Sequence, residues 1–152
     1  MRHVLIVEDD DYKLESLQEC LHQFDLLDIK VCRSFTSAAK AIKRTKFNLI
    51  LLDMSLPTFD GGGASEEGEA QGLGGKRLIR LCNEYGNLCP TILVTQFSNY
   101  EDFGKTASVS ELADELKMIL NDLFIGTVRY NRASTDWKDN LNSYLVAVLK
   151  KM

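Results

Sequence analysis

Along this chain, short aliphatic runs alternate with longer segments in which apolar residues recur at helical spacing. Five runs stand out, at residues 4–7, 29–32, 49–52, 91–94 and 124–128. After the first, Leu14, Leu17, Leu21 and Phe24 share one helical face. After the second, Ala38, Ala39, Ala41 and Ile42 mark another amphipathic segment. Leu78, Ile79, Cys82 and Tyr85 mark a third, with Gly86 placed to end it, since helices commonly close on a left-handed residue. A polar loop is expected over 96–106. Ser108 with Glu111 then makes a capping-box start for a helix bearing Leu112, Leu116 and Leu120. Trp137, Leu141, Tyr144, Leu145 and Val148 mark a last helix, with Trp137 and Tyr144 read as core. Continuous apolar runs suit strands covered on both faces, because a strand with one wet face would alternate. Five of them, each followed by a helix, predict a doubly wound α/β fold built on a parallel sheet.

Composition narrows the function classes. A length of 152 residues with 45% hydrophobic content is the size of one domain with a full core. A net charge of -4 and a pI near 5.2 give no electrostatic reason to expect nucleic acid or an anionic membrane as partner. The basic cluster Lys40, Lys43, Arg44 and Lys46 reads as a solvated helix face. No apolar stretch is long enough for a membrane span, and no signal peptide precedes the first run, so a cytoplasmic location is expected. Cys20, Cys32, Cys82 and Cys89 lie far apart without a CxxC pair, which fits reduced, buried thiols better than disulfides or zinc ligands. His3 and His22 lack matched partners and read as structural or exposed.

In a doubly wound sheet the reactive crevice lies beyond the carboxyl ends of the strands. The first run ends at Glu8, Asp9 and Asp10, the third at Asp53, the fourth at Thr95 and the fifth at Arg129. If strands one and three are neighbours, the acids converge and repel one another unless a cation sits among them. An all-oxygen cluster suits Mg2+. A carboxylate can then attack a phosphoryl group, with the ion, a hydroxyl and a basic side chain offsetting charge on the transferred oxygens. Asp53 is the candidate nucleophile, Thr95 the hydroxyl and Arg129 the base. Each residue also has a plain structural account: Asp10 as a helix cap, Glu8 and Asp9 as acids at a helix start, Asp53 as a loop acid bonded to nearby backbone. The coincidence of all these groups at strand ends is what favours a site.

These residues resemble the receiver domains of two-component response regulators. "VLIVEDD" (4–10) is similar to that family's acidic-pair strand, "LILLDMSLP" (49–57) to its phosphoacceptor strand, and "TILVT" (91–95) to its hydroxyl-bearing strand. The likeness spans nearly the whole chain, and the 44-residue separation of Asp9 from Asp53 is similar to that of typical members. The resemblance implies a flavodoxin-like five-stranded sheet in the order 2-1-3-4-5. It implies that Asp53 accepts phosphate from a sensor histidine kinase, that Asp9 binds Mg2+ directly with Glu8 acting through water, and that the Ser55 carbonyl is a further ligand.

The chain also departs from that family. "FIGTVRYNR" (124–132) offers Arg129 where receivers carry lysine followed by proline, and Gly126 falls where many carry a switching aromatic. Gln96 follows the hydroxyl in place of a small residue and could narrow the approach to the pocket. The stretch "TFDGGGASEEGEAQGLGG" (58–75) holds seven glycines and three glutamates, so it reads as a mobile insertion within a single domain over 1–152, a lid or docking loop or a tolerated surface segment. Its glycines fit neither GxGxxG nor a Walker loop. The leading expectation is a stand-alone phosphoacceptor that is not an enzyme and signals through an unknown downstream protein. The alternatives are a phosphorylation-independent pseudo-receiver and a small phosphohydrolase. The hydrolase is disfavoured because no acid stands two residues after Asp53.

Overall fold

The computed structural model describes residues 1–56, 74–96, 99–102 and 105–150. Its elements are β1 (Arg2–Val7), α1 (Asp11–Leu21), β2 (Leu27–Cys32), α2 (Phe35–Arg44), β3 (Leu49–Leu52), α3 (Gly74–Glu84), β4 (Thr91–Thr95), β5 (Asn99–Asp102), β6 (Lys105–Ser108), α4 (Val109–Leu120), a short 3-10 turn (Asn121–Leu123), β7 (Phe124–Arg129) and α5 (Asp136–Leu149). The main sheet is parallel with the order β2-β1-β3-β4-β7, as expected for a flavodoxin-like α/β fold.

Strand pleating divides each apolar run between two cores, because successive side chains leave a strand on opposite faces. Leu5, Val7, Ile50, Leu52 and Leu93 pack with Ala38, Ile42, Leu78, Ile79, Leu112 and Leu116, the inward residues of α2, α3 and α4. Val4, Ile6, Leu49, Leu51, Ile92, Val94 and Val128 pack with Leu14, Leu17, Leu21, Trp137, Leu141 and Leu145, from α1 and α5. The central strand β3 is buried at every residue, whereas the edge strand β2 alternates between half-buried and exposed positions over Leu27–Val31. The fully apolar pattern therefore belongs to the middle of the sheet, where helices cover both sides.

Local signals set the helix ends. Ser108 caps α4 by accepting from the Glu111 amide at 3.1 Å, and Gly86 ends α3 with φ +67. Ser34 with Ser37 forms a reciprocal capping box at α2. Two expectations change. The segment expected as a polar loop carries an antiparallel pair, with Asn99 opposite Ser108 and Asp102 opposite Lys105. That pairing is local backbone bonding, so it leaves no apolar run for a sequence pattern to register. Helix α3 begins at Gly74, inside the stretch expected as insertion. Residues 58–73 of that insertion, and Pro57 before it, lie outside the described residues. All four cysteines are free and buried.

Candidate functional site

The ladder between β1 and β3 pairs Val7 with Leu52, and one step beyond it the Asp53 amide donates to the Val7 carbonyl at 3.0 Å. On the other side of β1, the Glu8 amide donates to the Cys32 carbonyl at 3.0 Å. Glu8 and Asp53 thus stand at matching steps past neighbouring strands. The two-residue period sends both side chains to the α1 face, in line with Ile6 and Leu51. They are buried, at 2% and 5% exposure, while Asp9, the next residue, sits at the solvent edge. Ligand oxygens of Glu8, Asp9 and Asp53 lie within 4.8 Å of one another. The convergence expected from the strand ends is present.

Asp10 does what its plain reading requires: it caps α1, its carboxylate accepting from the Lys13 amide at 3.3 Å. Its own amide donates to Glu8 Oε2 at 3.1 Å, which ties the cap to the acid cluster. Asp53 Oδ1 accepts from the Ser55 amide at 3.2 Å.

The residue that sequence reasoning missed is Lys13. Long helical side chains lean back toward the helix N-terminus, so a lysine in the first turn of α1 reaches toward the end of β1. Its Nζ lies 2.6 Å from Glu8 Oε1 and 3.4 Å from Asp53 Oδ1, with the side chain 1% exposed. The signal was in the sequence: Lys13 stands four residues before Leu17 and eight before Leu21, on the apolar stripe itself, where an unpaired lysine would have no place.

Electrostatics follow from this packing. Burial, then the charge of Asp53, pushes the Glu8 carboxyl up to about 8, against the opposing pull of Lys13. Burial and Asp53 push Asp9 up to about 6. Burial also raises Asp53, with Lys13 and the Ser55 amide acting the other way. Burial alone would lower Lys13, but Asp53 and Glu8 hold it above its ordinary value, so it is an ammonium ion. With all three acids ionised, three negative charges and one positive leave the cluster at -2.

The start of α3 lies against the same strand exit. The Gly75 amide donates to the Met54 carbonyl at 3.0 Å, and a Cβ there would come within 2.8 Å of the Asp53 carbonyl oxygen. A Cβ on Gly74 would meet Leu56 Cβ at 2.5 Å. The last two glycines of the insertion therefore serve close backbone approach beside Asp53.

At the far side of the sheet, Thr95 is fully buried at the end of β4 and pairs in register with Arg129 of β7. Its carbonyl accepts from the Tyr130 amide at 2.8 Å. Val128 and Tyr130 join the core beneath α1 and α5, so the intervening Arg129 leaves the strand on the other face, where it is exposed. Arg129, Tyr130, Asn131, Arg132 and the exposed Gln96 line a cavity of about 560 Å³. The positive charge observed against Asp53 is that of Lys13, which the sequence reading did not name. Gly126, the position without the switching aromatic, is covered by the ring of Tyr144 from α5, which a Cβ there would strike.

Comparison with known proteins agrees with this architecture. The family described as response regulator receiver domain matches residues 4–67. The chain is 33% identical over 141 residues to the Detocs response regulatory protein DtcB of Enterobacter cloacae, covering 91% of this chain and 94% of the relative. Among solved structures, the signal receiver domain of a putative Luxo repressor protein from Vibrio parahaemolyticus superposes with a TM-score of 0.67 at 21% identity, covering 99% of this chain and 92% of that one. The Mn(2+)-bound form of response regulator Rcp1 superposes with a TM-score of 0.68 at 16% identity, covering 100% and 97%.

Proposed function

The chain belongs to the response regulator receiver family, and from that premise we propose that it is a phosphoacceptor whose Asp53 takes a phosphoryl group from a sensor histidine kinase. The observation that carries the reading is the cluster itself: Glu8, Asp9 and Asp53 within 4.8 Å at the ends of adjacent central strands, two of them buried. Acids so placed are costly to ionise without a cation, and an all-oxygen set of three carboxyl groups suits a hard divalent ion, whose charge would hold them ionised. Glu8, Asp9 and Asp53, with the Ser55 carbonyl, would hold Mg2+; that a structural neighbour is a Mn(2+)-bound response regulator fits the same class of ion. Such an ion supplies charge neutralisation on the transferred oxygens.

In the transfer, a carboxylate oxygen of Asp53 attacks phosphorus as the P–N bond to the donor histidine breaks. The imidazole leaves with the bonding electrons, and an acyl phosphate forms on Asp53. The Ser55 amide, which holds Asp53 Oδ1, fixes the orientation of the nucleophile. Thr95, buried at the next strand end, supplies the hydroxyl toward the transferred group. Output passes to a protein partner, since receivers are signalling domains. Among the described residues no helix is long and apolar enough to cross a membrane, which fits a cytoplasmic site of action.

A second reading, an interaction module that phosphate does not switch, is favoured by one observation: Lys13 already neutralises part of the pocket. Intact-mass measurement after incubation with Mg2+ and phosphoramidate separates the two. The phosphoacceptor gains one phosphoryl group, and Asp53→Ala gains none. Absence of any adduct on the parent protein, with the small donor and with kinase, would establish the phosphate-independent module instead.

A further inference from the structure

Resting on the phosphoacceptor reading, we propose that Lys13 is the phosphoryl-binding cation of this pocket, supplied from α1 and held in readiness by Glu8 and Asp53. Its Nζ touches both carboxylates from a position with almost no solvent contact. A group carried on the Asp53 carboxylate therefore enters the immediate surroundings of this ammonium ion. Among the described residues, Lys13 is the cation that stands within ion-pair reach of both Glu8 and Asp53.

The same contacts give Lys13 a second consequence. It holds carboxylate oxygens of Glu8 and Asp53 that a divalent ion would draw on, so the ammonium would compete with the ion for the cluster. Removing the lysine takes the ionised cluster from -2 to -3. The residue thus opposes metal binding and favours phosphoryl transfer. A lysine that only filled space would move both in the same direction.

The lysine is also wired to the helix face. Its Nζ lies 6.0 Å from the centre of the Tyr130 ring, which meets Trp137 of α5 edge-on at 4.9 Å. Trp137 is the single tryptophan of the chain. Its fluorescence accordingly reports displacement of Lys13.

The test compares the parent protein with Lys13→Gln, Lys13→Arg and Arg129→Gln. Mg2+ is titrated by calorimetry and by Trp137 fluorescence, and adduct formation from phosphoramidate is timed by intact mass. In that reaction Asp53 attacks phosphorus, the P–N bond breaks, and ammonia leaves after taking a proton from water. Lys13→Gln should bind Mg2+ about tenfold more tightly, since it removes a competing charge, and acquire phosphate about 100-fold more slowly, the scale of losing one preorganised charge contact. Lys13→Arg should recover part of the rate, and Arg129→Gln should match the parent in both. Thermal denaturation with Mg2+ present checks that each variant is folded; if Lys13→Gln is not, Lys13→Arg, with its longer planar head, decides by whether it shifts the two readouts in opposite directions. Unchanged or weaker Mg2+ binding, or an unchanged transfer rate, overturns the proposal. If the parent protein itself takes no phosphate, the phosphoacceptor reading fails on its own, and with it the phosphoryl role of Lys13. The Mg2+ titration then still decides whether Lys13 competes for the carboxylates.

Discussion

The ends of the central strands and the end of the edge strand meet the same problem, a charged side chain at the rim of a parallel sheet, and solve it differently. Between β1 and β3 the chain buries Glu8, Asp53 and Lys13 together, each within ion-pair reach of another. On β7 it leaves Arg129 exposed. In the centre, helices cover both faces and every charge must be partnered, because an isolated buried ion is far costlier than an exposed one. At the edge the charge stays exposed, so it carries little of that desolvation cost. Sequence position alone makes Arg129 and Asp53 look equivalent, as strand-end residues, and burial separates them.

The largest effect should come from breaking the central cluster. Lys13→Met leaves two buried carboxylates without their ammonium partner and should destabilise the metal-free protein by about 3 kcal/mol, a loss that Mg2+ largely restores in chemical denaturation. Next is overpacking near the edge. Gly126→Val drives a side chain into the Tyr144 ring and should cost about 2 kcal/mol, with Tyr144→Ala in the same chain recovering much of it. If Gly126→Val is neutral, the edge is looser than its packing indicates.

The pH dependence is smaller and has a definite sign. Asp9 at about 6 and Glu8 at about 8 both lie above their ordinary values of 3.8 and 4.5. Raised carboxyl values contribute stability that is fully present below those ordinary values and lost as pH rises through the folded ones. The melting temperature of the metal-free protein should therefore fall between about pH 4 and pH 8 on account of this cluster. Glu8→Gln should flatten the upper part of that slope, and Mg2+ should flatten all of it, both read by calorimetry across buffers. The smallest effect belongs to Arg129→Gln. It should change stability by less than about 0.5 kcal/mol, and a larger loss would show that the edge charge contributes to the fold.

Much of this site is legible in the sequence. The abrupt ends of "VLIV" and "LILL" on acids located Glu8, Asp9 and Asp53, because fully apolar runs suit strands covered on both faces and the carboxyl ends of parallel strands share one rim. The cap at Asp10, the stop at Gly86 and the start at Ser108 were equally local. The role of Lys13 is not a periodic signal: its place on the Leu17 and Leu21 stripe shows that it faces inward, and only the packing of α1 on the sheet sets which acids it meets. The antiparallel pair of β5 and β6 left no periodic trace in a polar segment.

Sequence by itself therefore determined the order of elements, the faces that form the two cores and the acids at the rim, all of which follow from spacing along the chain. Tertiary structure decided which cation meets those acids, and why two glycines stand beside Asp53 and one beneath Tyr144. Those outcomes depend on distances between residues remote in sequence and on which strand lies at the edge, and neither is a periodic property of the chain.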